Sequence, residues 1–166
     1  MKNIKSELTA ISRTTLSKPY KLFLSQNIIN KNQSILDFGC GKGFDVKTLQ
    51  NKGFDIKGYD KYQNDFKNSY DVNYDIVTCN YVFNVISEVN ERIELLNELK
   101  KIGKKIIISV RSDKKAIKEN WIEYNDGYIT PRKTFQKFYT EDDIINFFGD
   151  VEFLYNKSDS KIFTIK

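Results

Sequence analysis

Apolar residues in this chain collect in short runs that alternate with amphipathic stretches. Ser34–Phe38, Asp55–Tyr59, Tyr74–Asn80 and Lys105–Val110 are brief, β-prone and bounded by glycine or polar residues, as buried strands are. Helical spacing marks Pro19–Ile29, with Ser17 placed to cap ahead of the proline, then Phe44–Asn51 with Gly53 as its stop. It recurs in Val85–Ile102, where Val89, Ile93, Leu96 and Leu99 share a face. Strands alternating with helices predict an α/β protein, because parallel neighbours need a crossover and the crossover is usually a helix. The last third is less regular. Lys114–Asn120 reads as helical, Glu123–Tyr139 as an irregular segment, Glu141–Phe148 as a helix capped by Thr140, and Val151–Tyr155 with Ile162–Ile165 as a closing strand pair. Between Asp60 and Tyr74 lie only about a dozen residues, too few for a helix plus a full strand, so an edge strand there is predicted to be missing or rudimentary.

The chain has 166 residues, 40% of them hydrophobic, with ten Tyr, twelve Phe and one Trp, which predicts one packed domain over 1–166. Within it, 1–33 reads as an N-terminal helical segment, 34–111 as the ligand-binding core and 112–166 as a substrate-side loop, helix and closing strands. A net charge of +5 makes nucleic acid a candidate partner, although a solvated basic surface accounts for it equally well. The two cysteines cannot make a disulfide framework and suit a reducing cytoplasm, with Cys79 expected as a buried strand residue. No apolar run has the length of a signal peptide or a membrane span, so a soluble protein without membrane contact is expected. Histidine is absent, which removes His-type zinc sites, Ser-His-Asp triads and imidazole bases; no metal site is expected.

The densest chemical signal is Ile35-Leu-Asp-Phe-Gly-Cys-Gly-Lys-Gly43, a strand that breaks into alternating glycines and leads into a helix. Such a turn directs backbone N–H groups and a helix N-terminus at one spot, and glycine admits the positive φ and close approach this needs. Asp37 precedes the first glycine, and Asp60 closes the next strand, where a carboxylate accepts both hydroxyls of a ribose. The dinucleotide fingerprint is Gly-x-Gly-x-x-Gly, whereas the spacing here is Gly-x-Gly-x-Gly with an acid upstream. S-adenosylmethionine fits that arrangement better than a nicotinamide dinucleotide.

On Asp37-Phe38-Gly39-Cys40-Gly41-Lys42-Gly43 and Asp60 the chain resembles the class I S-adenosylmethionine-dependent methyltransferases. The resemblance implies a Rossmann-like sheet of seven strands, mostly parallel, with an antiparallel C-terminal hairpin. It makes Asp37, Gly39, Cys40, Gly41, Gly43, Asp60, Lys61, Tyr62 and Asn80 cofactor-binding candidates, with Lys61 and Tyr62 flanking the adenine. The segment from Tyr74 to Ile86 looks like the family's fourth motif, placing Asn80 and Tyr81 at the mouth of the site. The proline pair of amino-methylating DNA enzymes is missing after Asn80, and Cys79 lacks the proline that accompanies the nucleophile of cytosine ring-carbon enzymes. Arg13–Pro19, Asn84-Val85-Ile86 and Thr134-Phe-Gln-Lys-Phe-Tyr-Thr140 together resemble the methyltransferases associated with DNA phosphorothioation systems.

Methyl transfer from a sulfonium is an in-line displacement, so alignment and exclusion of water are the main demands on the protein. Asn80, Tyr81 and Tyr139 are the candidates for aligning the acceptor. Arg132, Lys133, Gln136 and Lys137, interleaved with Phe135 and Phe138, are the candidates for binding it, with nucleic acid or a small nucleophile as acceptor. Arg13 is a candidate for the cofactor carboxylate. The competing reading is a cofactor-binding module without catalysis.

Overall fold

A computed structural model describes residues 4–68 and 70–166. They form two compact units, each assembled from separate stretches of chain. The first comprises Ala10–Asn80 and Glu98–Ile107; the second comprises the residues up to Thr9, Tyr81–Asn97 and Ile108–Lys166.

The first unit contains α1 (Lys18–Ser25), β1 (Ser34–Phe38), α2 (Phe44–Asn51), β2 (Asp55–Tyr59) and β3 (Tyr74–Asn80). It also holds the start of β4 (Gly103–Arg111). The strand order is β2-β1-β3-β4, and β1 runs parallel to both β2 and β3. Burial explains why these runs are strands. Ile35, Leu36 and Asp37 are buried in succession, as a central parallel strand requires, whereas β2 buries only Ile56 and lies at the edge. No strand occurs among the described residues of 61–73, in keeping with the short spacing between Asp60 and Tyr74. Tyr20, Phe23, Val46, Leu49, Ile76 and Val77 complete this core, each full burial contributing about 1.5–3 kcal/mol.

Helix α1 stops at Ser25, short of the expected Ile29, because Asn27 takes a positive φ of 54°. Ser17 occupies the capping position without using its side chain; its N–H instead donates to Asp45 Oδ1 at 2.9 Å.

The second unit holds the rest of β4, a 3₁₀ turn at Lys114–Ala116, α4 (Glu141–Phe148), β8 (Val151–Asn156) and β9 (Ser160–Ile165). Strand order is β4-β9-β8, with β8 and β9 antiparallel. Thr140 and Asp143 form the expected capping box on α4. Helix α3 (Val89–Ile102), which begins in this unit, starts later than Val85. The stretch expected to be irregular is instead a small antiparallel sheet of β5 (Ile122–Tyr124), β6 (Gly127–Ile129) and β7 (Phe135–Gln136). Gly127 is required there: a Cβ would lie 2.5 Å from the Phe135 ring and 2.6 Å from the Gln136 carbonyl. The helix expected over Lys114–Asn120 contracts to the single 3₁₀ turn.

Phe83, Phe148 and Phe163 form an aromatic core with ring centroids 4.9–5.0 Å apart. Buried Asn84 ties it to its surroundings. Its Oδ1 accepts the Arg111 N–H at 3.0 Å, its Nδ2 donates to the carbonyls of Lys137 and Arg111, and its own carbonyl accepts the Lys137 N–H at 2.7 Å. Asn84→Ala removes every side-chain bond of this set and orphans buried backbone groups, an expected cost of about 3 kcal/mol. In urea unfolding the midpoint should fall with an unchanged slope; an unaltered midpoint contradicts the role.

Candidate functional site

In the first unit the β1–α2 connection carries three positive-φ glycines, Gly39 (77°), Gly41 (56°) and Gly43 (73°). The N–H groups of Gly39 and Cys40 both donate to the Tyr59 carbonyl, at 2.7 and 3.1 Å. Gly41 N–H donates to Asp60 Oδ2 and Tyr62 N–H to Asp60 Oδ1, each at 2.9 Å. The loop at the end of β1 is thereby fastened to the end of β2. The chain then folds back, with Asp60 N–H on the Phe66 carbonyl at 3.0 Å, and a Cβ on Gly43 would lie 2.1 Å from the Phe66 ring. Lys42, Tyr62, Gln63, Asn64, Asp65 and Phe66 line an open cleft of about 350 Å³, within the usual size range of small-molecule sites. Lys61 extends its ammonium over the Tyr62 ring, 5.0 Å from the centroid.

Asp37, 4% exposed, accepts from Thr78 Oγ1 at 3.0 Å and Asn80 Nδ2 at 3.4 Å, and Thr78 Oγ1 also bonds Tyr20 Oη at 2.8 Å. Burial, and then the nearby Asp45 carboxylate, raise its pKa to about 7 against those hydrogen bonds. Burial likewise pushes the Cys40 thiol up, with Asp37 and Asp60 adding to it, so Cys40 is a neutral wall of the loop. Cys79 is buried in β3, as expected.

Arg13 lies on a strap that crosses the loop: Ala10 Cβ is 3.6 Å from the Cβ position of Gly41, Ser12 Oγ accepts from Lys42 Nζ at 2.8 Å, and Ser17 reaches Asp45. Among the described residues no carboxylate pairs with its half-buried guanidinium.

The second unit carries the other expected site residues. Tyr81 directly follows Asn80 with φ 62°, a strained value for a tyrosine, and its N–H donates to the Ser109 carbonyl at 2.8 Å. Arg132 and Lys133 are exposed on a turn, where Arg132 Nη2 reaches the Leu8 carbonyl at 3.4 Å and the Lys133 carbonyl accepts the Lys5 N–H at 2.8 Å. Gln136 contacts its neighbour's carbonyl at 3.4 Å.

Two expectations are corrected. Tyr139 is 1% exposed, donates to the Phe83 carbonyl at 3.2 Å, and has its phenol pushed up by burial, so it packs rather than presenting a group to an acceptor. Lys137 is 8% exposed, with its ammonium 2.8 Å from Asp126 and 3.7 Å from Asp143. Asp126 also pairs with the buried Arg92 guanidinium. Burial works to raise Asp126, but hydrogen bonds from Arg92 and Lys137 outweigh it and hold the group at about 2. Sequence reasoning does not single out Arg111, whose one signal is that it follows the predicted strand ending at Val110.

A family model described as a methyltransferase domain matches residues 11–154. No curated protein matches the sequence. Solved structures share the fold. A Pyrococcus horikoshii protein superposes with a TM-score of 0.64 at 16% identity, over 90% of this chain and 92% of its own. An S-adenosylmethionine-dependent methyltransferase from Clostridium acetobutylicum gives 0.59 at 15% identity, with 92% of each chain covered. One from Bacteroides fragilis, in complex with S-adenosyl-L-homocysteine, gives 0.61 at 12%, covering 93% of this chain and 78% of its own. The mixed α/β sheet described above is thus the Rossmann-like arrangement of methyltransferase structures.

Asp37 sets a pH dependence of stability. Folded, it keeps its proton up to about pH 7, whereas an unfolded aspartate loses it near 3.8, so between these values the folded state binds more protons. Stability contributed by this group therefore falls as pH rises through that window and levels off above it, by up to about 4 kcal/mol. Asp75 and Asp126, each lowered to about 2, act with the opposite sign and only at lower pH. Urea unfolding at pH 5 and pH 8 should show the loss in the native chain and not in Asp37→Asn; equal slopes in both contradict the assignment.

Proposed function

The chain belongs to the methyltransferase domain family, and from that premise we propose that it transfers a methyl group from S-adenosylmethionine, with the glycine-loop unit as the cofactor site. The observation that carries this reading is the double use of Asp60. A carboxylate has about four acceptor positions; Gly41 and Tyr62 occupy two, which fixes the group beside the loop and leaves capacity for the two hydroxyls of a ribose. The loop glycines hold the positive φ values that bring the loop against Asp60. Lys61, Tyr62 and the Phe66 side of the cleft suit an adenine.

Asp37, near Asp45, suits the ammonium of the methionine moiety, since a cation offsets the burial and then the Asp45 repulsion that raise its pKa. The unpaired Arg13 suits the carboxylate. Cys40 lines the loop, and Asn80, bonded to Asp37, joins the cofactor contacts. When bound, S-adenosylmethionine supplies an electrophilic methyl on its sulfonium. The protein's own work is to orient: Asn80 and Tyr81 align the acceptor, and the strained backbone of Tyr81 fixes its direction.

Exposed Arg132 and Lys133, with Gln136, are the acceptor contacts retained from the sequence. The strings Arg13–Pro19 and Thr134–Thr140 support kinship with the phosphorothioation-associated methyltransferases, a kinship that leaves the acceptor open between nucleic acid and a small nucleophile. The two free cysteines support a cytoplasmic location. No helix among the described residues is long and apolar enough to cross a membrane.

Calorimetry on the full chain should show binding of S-adenosylmethionine and S-adenosylhomocysteine and none of NAD, followed by methyl transfer to one member of a panel of nucleic acids, peptides and metabolites. Asp60→Ala should weaken cofactor binding by about 100-fold, the value of two hydrogen bonds to a charged group. Binding of NAD alone, or undiminished affinity in folded Asp60→Ala, sinks the reading.

A further inference from the structure

Beside the exposed Arg132 and Lys133, the second unit holds a further cation that sequence reasoning passes over. Strand β4 ends at Arg111, and the C-terminal ends of strands are where open α/β sheets place ligands. The Arg111 backbone is held from both sides, its N–H by Asn84 and its carbonyl by the Tyr139 N–H at 2.8 Å. Its half-buried guanidinium sits 5.1 Å over the Phe138 ring. Among the described residues that guanidinium has no carboxylate or hydrogen-bond partner, unlike Arg92 and Lys137 in the same unit. Its planar fork of donors matches the oxygens of a phosphate.

Other features lie in the same unit. Ser112 Oγ is shut off from solvent with no hydrogen-bond partner, and so is Ser160 Oγ, next to the Asp159 carbonyl that accepts the Ser112 N–H at 3.1 Å. Trp121 stacks on the same Phe138 ring, with centroids 6.3 Å apart and planes at 25°. Lys114, Lys115 and Lys118 lie exposed in the connecting segment, and none forms an ion pair among the described residues.

We propose that Arg111 and Trp121, which both contact the Phe138 ring, form a nucleotide subsite, in which Arg111 holds a phosphate and Trp121 stacks on its base. Resting on the methyltransferase reading above for the identity of the chain alone, it gives the second unit a binding site for nucleotide-containing ligands. The three lysines raise the local concentration of a polyanion, as basic segments beside stacking platforms do in single-strand binders.

Trp121 is the single tryptophan of the chain, so its fluorescence reports this site directly. The full chain, with S-adenosylhomocysteine present, is titrated with thymidine, thymidine monophosphate, a short oligothymidylate and a glutamate-rich peptide. Thymidine monophosphate and the oligothymidylate should quench Trp121, thymidine should need at least about tenfold more ligand, and the oligothymidylate affinity should fall with added salt. Arg111→Leu should lose about tenfold or more for the nucleotide with S-adenosylhomocysteine affinity unchanged, and Arg111→Lys should restore only part. Equal binding of nucleoside and nucleotide, preference for the acidic peptide, or native nucleotide affinity in Arg111→Leu overturns the subsite. Where Arg111→Leu fails to fold, the nucleoside-to-nucleotide comparison on the native chain decides. Failure to bind S-adenosylhomocysteine, with nucleotide binding through Arg111 intact, contradicts the cofactor reading instead.

Discussion

The carboxylate of Asp60 and the carbonyl of Tyr59 receive the backbone N–H groups of Gly41, Gly39 and Cys40, so the end of β2 holds the loop that leaves β1. This bonding requires the chain to pass through positive φ at Gly39, Gly41 and Gly43, which side chains with a Cβ resist. It also fixes where the next segment returns, since Asp60 N–H and the Phe66 carbonyl close the turn that sets the Phe66 ring against Gly43 and Gly58. One carboxylate thus organises the loop, the cleft beside it and the acceptor positions left for a ligand. A residue that reads as ligand-binding is also a structural clamp, and the two roles share one geometry.

Two carboxylates, Asp126 and Asp37, show how the molecule separates paired from unpaired charge. Asp126 meets Arg92 and Lys137, and their hydrogen bonds outweigh the cost of burial. With Asp143 also facing Lys137 the charges of the cluster balance, and it ties the residues beside β6 and β7 to α3. Asp37 is more deeply buried but has only neutral donors, with Asp45 opposing ionisation. Such a group is incomplete until a cation arrives. Among cations the same contrast sets the paired Arg92 and Lys137 against Arg13 and Arg111, whose guanidinium groups have no carboxylate partner among the described residues. Function is read where charge is left uncompensated.

Much of the first unit is legible in the sequence because its signals are local. Ile35–Asp37 reads as a continuous run, the glycines mark their own turn, and Asp60 stands at the strand end where a ribose acid belongs. The short interval before Tyr74 foretells an edge at β2, although the resemblance to a seven-stranded family points the other way. What escapes depends on distant residues. β5, β6 and β7 have two or three residues each, too short to show a period, and are held by pairings such as Ile129 with Phe135. Lys137 looks like a surface cation until Asp126 and Asp143 come beside it, and Tyr139 looks available until the Phe83 carbonyl takes its hydroxyl. Arg111 is inconspicuous because its importance lies in the partners it lacks.

A crystal structure of the full chain with S-adenosylhomocysteine tests the central claim most directly. The account predicts the ribose hydroxyls within hydrogen-bond distance of Asp60 and the amino group of the ligand facing Asp37. A nucleoside seated away from the Gly39–Gly43 loop, or bound there with Asp60 making no contact to its ribose, contradicts it.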